Sequence, residues 1–118
     1  MLESKRECVF NGLPLDFAHL SRQTMGDEEL KREVLELFLT QAVAAQTELA
    51  GINGEARRSL AHRLVGAARA VGAFAVADCA AELEAAPNSA ELAERLPRLI
   101  DEMRLFVLGH MDRPGQEG

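Results

Sequence analysis

The chain has 118 residues, 13 Lys+Arg against 19 Asp+Glu, a net charge of −6, 47% hydrophobic residues and only 4% aromatics. That length holds one domain with one core, and the apolar fraction is too high for a disordered chain. The acidic balance speaks against non-specific nucleic-acid binding, and no apolar run approaches the roughly 20 residues needed to span a bilayer. The first ten residues carry Glu3, Lys5, Arg6 and Glu7 and have no apolar run of a secretory leader. Two cysteines, Cys8 and Cys79, make no disulfide framework, and a reduced, cytoplasmic setting is expected. Ala, Leu, Glu and Arg dominate and strict two-residue alternation is lacking, so an all-α domain is expected.

Residues 1–15 read as a lead-in, with Asn11-Gly12 as a turn signal. Asp16 to Thr24 reads as a short helix with Phe17 and Leu20 on one face. Gly26 stops it, and Asp27 caps a second helix reaching about Ala50. There Leu30, Val34, Leu37, Phe38, Gln41 and Ala45 sit at three- and four-residue spacings, the expected core row. No second apolar stripe is evident on its wheel, which favours a monomer. Gly51 to Gly54 is a loop. Glu55 to Val71 is the third helix, with Gly72 placed as its left-handed end. Ala73 to Ala86 is the fourth, ended by Pro87 and Asn88. Asn88 with Glu91 resembles a capping box for a last helix ending near Gly109, with a kink or restart expected at Pro97. Phe10, Leu13 and Phe17 are expected to pack the short helix onto the rest, Phe38, Phe106 and Cys79 to lie in the core. The expected fold is an antiparallel up-and-down four-helix bundle over residues 16–111, with a short N-terminal cap helix and a flexible tail at 112–118.

The third helix departs from a plain amphipathic pattern. At about 100° per residue, Leu60, Leu64, Ala67 and Val71 share the core face. His62 lies about 200° from Leu60 and points outward, with Arg58, Gly66 and Arg69 beside it. Gly66 sits mid-helix, where glycine costs about 1 kcal/mol relative to alanine. It faces outward, so it clears space beside the imidazole. Val65 is expected at the margin of the exposed face. No acidic residue occurs between Glu55 and Asp78, while Arg57, Arg58, Arg63 and Arg69 all fall there. An acidic chain gathers positive charge around one exposed histidine. A neutral imidazole is a good nucleophile near pH 7, since its ordinary pKa is about 6.5. It accepts and returns a phosphoryl group, and nearby guanidinium groups neutralise the transferred oxygens.

The run His62-Arg63-Leu64-Val65-Gly66-Ala67-Ala68-Arg69-Ala70-Val71-Gly72-Ala73 resembles the histidine phosphotransfer (HPt) family, whose pattern is similar to His-x-Leu-Lys-Gly followed by small residues. Cys79 to Glu84 is similar to the family's small/Cys-x-x-x-Leu-Glu ending. Phe17 to Leu20, Gly26 to Leu30 and Leu35 to Phe38 resemble its first two helices. The resemblance spans about residues 16–111. It implies a phosphohistidine carrier that relays phosphate between receiver domains of hybrid or sensor histidine kinases and of response regulators. His62 is the implied phosphoacceptor. Gly66, with Val65 and Arg63 beside it, is the implied place of partner access. The Mg²⁺ and the aspartate come from the receiver, and no cofactor is expected in this chain. Val65 replaces the family's lysine, so Arg69 or Arg58 is expected to support the phosphoryl group instead. Glu84, on the next helix, is expected to orient the imidazole. The same departure keeps open an interaction-only helical adaptor that binds a kinase or receiver without transfer. No Gly-x-x-x-x-Gly-Lys-Ser/Thr loop occurs, so neither ATP binding nor autokinase activity is expected. His19, His62 and His110 lack metal-site spacing, and no metal site is expected.

Overall fold

Two aspartates start the first two helices. In the computed structural model, which describes residues 13–111, Asp16 accepts from the backbone N–H of Ala18 and His19 and opens α1, Phe17–Gln23. Asp27 accepts from Glu29 and Leu30 and opens α2, Glu28–Leu49. Between them Met25 and Gly26 both take positive φ, 53° and 76°, and turn the chain sharply. Three further helices follow: α3, Gly54–Val71, α4, Phe74–Ala85, and α5, Ala90–Met111. The described residues are therefore all-helical. The expected lead-in through residue 12, with Cys8, Phe10 and the Asn11-Gly12 turn, and the tail at 112–118 lie outside them.

The cap of α5 falls one residue later than Asn88: Ser89 Oγ accepts from the Leu92 N–H at 3.2 Å. α5 also continues through Pro97 without the expected restart. Leu96, Ile100, Met103 and Val107 are buried on both sides of the proline, and this unbroken packing carries the helix across it. Gln46 of α2 donates to the Pro97 carbonyl (2.9 Å) and to Asp101 Oδ1 (2.9 Å).

α2 packs on α3 and α5, and α4 packs on α3 and α5, so these four helices close a ring of contacts. The core row of α2 differs from the expected one. Leu35, Phe38, Ala42, Ala45 and Leu49 are buried, whereas Leu30 and Leu37 are exposed and Gln41 faces solvent. The alternating spacing of three and four is unbroken through Leu49 in the buried row, while Gln41 interrupts the other. The exposed Leu30 and Leu37, seven residues apart on one face, also remove the sequence argument for a monomer.

α1 is fixed to the junction of α3 and α4. The Asp16 N–H donates to the Gly72 carbonyl at 3.0 Å. Gly72 has φ of 91°, and a Cβ there would stand 2.8 Å from the Asp16 carbonyl oxygen. Only glycine meets both demands. Leu15, read in sequence as lead-in, is fully buried. Leu13 is 44% exposed. Phe17 packs its ring against Phe106 (5.7 Å between centroids) and stacks on His110 (4.0 Å), and His19 meets the edge of Phe74. Phe38 and Cys79 are buried, and burial pushes the Cys79 thiol up. Phe106 packs at the margin of the core.

Candidate functional site

The site lies where α3 and α4 meet. α3 and α4 are joined by a left-handed turn: the Gly72 N–H reaches the Ala68 and Arg69 carbonyls, and the Ala73 N–H reaches Ala68. Small buried residues on both helices, Ala61 and Ala68 of α3, Ala77 and Ala80 of α4, allow close packing. That packing sets the last turn of α4 beside the middle of α3.

His62 projects outward there, with 74% of its side chain exposed. Its Nδ1 lies 2.8 Å from Glu84 Oε2. A carboxylate only accepts, so the Nδ1 proton is donated to Glu84. In the neutral ring the lone pair then stands on Nε2, the distal nitrogen. This is a base and nucleophile with one nitrogen held and the other open.

Two arginines tie this end of the domain together. Arg58 donates from Nη1 to the Glu84 carbonyl (3.1 Å) and from Nε to Glu55 (3.3 Å). The last carbonyls of a helix have no intrahelical donor, and a cation there also suits the helix dipole. Arg57 donates to the Pro87 carbonyl (2.8 Å) and to the Ile52 carbonyl (2.8 Å), so it binds the α2–α3 and α4–α5 connections together.

Glu55, Arg58, Ser59, His62, Arg63 and Glu84 line one open groove. Arg63 also borders a second, more apolar groove between α2 and α3, formed over Ala45, Leu60 and Leu64. Gly66 is exposed, and a Cβ there would meet nothing within 4 Å. Arg69 is exposed and does not line the groove. Val65 is a correction. It is 9% exposed and belongs to the core, because α4 packs over the Ala61–Val65–Ala68 edge of α3. Its side chain therefore lies under the exposed face that carries His62, Gly66 and Arg69 and is not part of it.

Sequence reading missed Ser59, Glu55 and the tie made by Arg57. Ser59 and Glu55 lie three and seven residues before His62, on its own face, so the wheel carries that signal. The Arg57 tie joins two loops distant in sequence, and no local pattern reveals it. His19 and His110 are ring-packing residues beside α1, away from the groove. Among the described residues, no group of three His, Cys, Asp or Glu side chains is placed to hold a metal ion. Nor is any described helix long and apolar enough to cross a membrane.

An exposed imidazole, oriented by a carboxylate of the next helix in an all-helical domain, defines a surface histidine site open to a second macromolecule. The family model described as Hpt domain matches residues 28–105, and the chain belongs to that family. Membership places it among the phosphotransfer carriers of phosphorelays. No curated protein and no solved structure matches the chain.

Proposed function

We propose that this protein carries a phosphoryl group on His62 between the receiver domain of a hybrid or sensor histidine kinase and that of a response regulator. The observation that carries this reading is the 2.8 Å contact between His62 Nδ1 and Glu84 on a ring whose other edge is open. In the forward step the Nε2 lone pair attacks the phosphorus of an aspartyl phosphate. The N–P bond forms as the P–O bond to the aspartate breaks, and the carboxylate leaves with its electron pair. Nδ1 keeps its proton throughout. The phosphorylated ring is then a cation, and the Glu84 carboxylate faces that charge. In the return step an aspartate of the second receiver attacks phosphorus, and the N–P electrons go back to Nε2.

The receiver supplies the Mg²⁺ and the aspartate; this chain supplies a positioned nucleophile. Gly66 leaves the space through which the receiver reaches Nε2. The four long helices form an antiparallel up-and-down bundle in this reading, supported by their closed ring of contacts and short connections. The relay operates in the cytoplasm.

The test is transfer from a prephosphorylated receiver domain to the wild type and to His62→Gln, followed by acid treatment. Acid-labile label on the wild type and none on the variant is the expected result. A folded wild type that binds the receiver but takes no label supports the interaction-only adaptor instead.

A further inference from the structure

The two nitrogens of an imidazole flank Cε1, so a ring with Nδ1 turned to one side carries Nε2 at its distal, opposite edge. Nδ1 of His62 is turned to α4, where Glu84 holds it. Nε2 therefore points outward and towards the α2 side of α3. At about 100° per residue, Gly66, Ser59 and Arg63 lie on that side of His62, and Arg69, Arg58 and Val65 on the α4 side. The contacts agree: Arg63 borders the groove against α2, and Arg58 reaches Glu84 of α4.

The two groove arginines differ in what they already hold. Arg58 is engaged by the Glu84 carbonyl and by Glu55. Arg63 lines the groove with His62, and among the described residues its guanidinium has no ion-pair or hydrogen-bond partner. Neighbouring positions on a helix diverge, so Arg63 does not face the ring itself. A phosphoryl group on Nε2 projects beyond the ring on the Arg63 side, and a long guanidinium stem reaches across that interval.

We propose that Arg63 is the cation that holds the phosphoryl oxygens on His62, and that Arg58 is a positioning residue acting through Glu84. This rests on the phosphocarrier reading above. Arg63 makes charge-assisted hydrogen bonds to the phosphoryl oxygens and forms or breaks no covalent bond. It takes over the work of the lysine that Val65 replaces, from the other side of the histidine.

Phosphoramidate, a small donor, tests this without receiver docking. The full chain is incubated with it as wild type, Arg63→Ala, Arg63→Lys and Arg98→Ala, with helicity checked for each. Arg98 lies on α5 and controls for the loss of one positive charge. The expected result is a phosphorylation rate about tenfold lower for Arg63→Ala, as for loss of one charged contact, with partial recovery in Arg63→Lys and no change in Arg98→Ala. The ³¹P resonance of the phosphohistidine shifts in the Arg63 variants alone. Wild-type rate and resonance in Arg63→Ala overturn the assignment. A wild type that takes phosphate from neither phosphoramidate nor a receiver overturns the carrier reading itself, so the two failures are distinguishable.

Discussion

The two junctions of this domain are closed by different chemistry. At Gly72, α1 meets the turn between α3 and α4 through the main chain: an Asp16 N–H on a Gly72 carbonyl, in a space that admits no Cβ. Where the α2–α3 and α4–α5 connections meet, the ties are side chains. Arg57 grips two loop carbonyls, Arg58 grips the end of α4, and Gln46 grips α5 at Pro97 and Asp101. The first junction is set by steric fit and a main-chain hydrogen bond. The second is built from long polar side chains, and His62 and Glu84 lie beside it. A steric junction tolerates one residue; a junction of side chains is adjustable one contact at a time.

Substitution of Gly72 is the hardest test of that contrast. Gly72→Ala is expected to lower stability by about 2–4 kcal/mol, through positive φ and a backbone clash, read as a fall in urea midpoint. An alanine variant as stable as wild type breaks the comparison. Arg57→Ala is next, with an expected loss of about 1.5–3 kcal/mol for charged hydrogen bonds to two carbonyls. Arg57→Lys, which lacks the fork, recovers part of it in the same measurement. Wild-type stability in Arg57→Ala removes the side-chain tie from the comparison.

Gly66→Ala is expected to act in the opposite direction. Open space surrounds that position, so alanine raises helix stability by about 1 kcal/mol while slowing transfer from a receiver. A higher thermal midpoint with unchanged transfer removes the access role. Gln46→Leu is the smallest effect and depends on pH. The Gln46 amide first, and Arg104 second, hold the Asp101 carboxyl below its usual range. A lowered carboxyl pKa contributes stability above the unfolded value, and that contribution fades as pH falls through the folded value. The difference between Gln46→Leu and wild type is therefore expected to be largest near neutrality and to narrow in acid, followed by circular dichroism across pH. A constant difference from neutral to acid places the whole effect at Pro97.

Much of this was legible in the chain. Asp16, Asp27 and Gly72 mark helix ends by local chemistry, and each sits where that chemistry puts it. The outward His62 and the clearing at Gly66 follow from the helical period alone. Where the reading slipped, a second helix decided the matter. Val65 is marginal on the wheel of α3 until α4 covers that edge, and the rows of α2 differ only in which one meets the core. Pro97 breaks a helix in isolation and is carried here by buried neighbours on either side. The Arg57 and Gln46 ties join residues far apart in sequence, which no window on the chain can pair.

Gly72 also sets an order of events. α3 and α4 adjoin in sequence and pair across one tight turn, a short closure with a small entropic penalty. The bond from Asp16 closes a far longer loop, from residue 16 to residue 72. The α3–α4 hairpin is thus expected to form first, with α1 docking onto it afterwards. Run backwards, the same asymmetry leads us to expect α1 to lift away first. Amide exchange along 17–24 then reports a local opening with a lower free energy than the opening of α3 and α4.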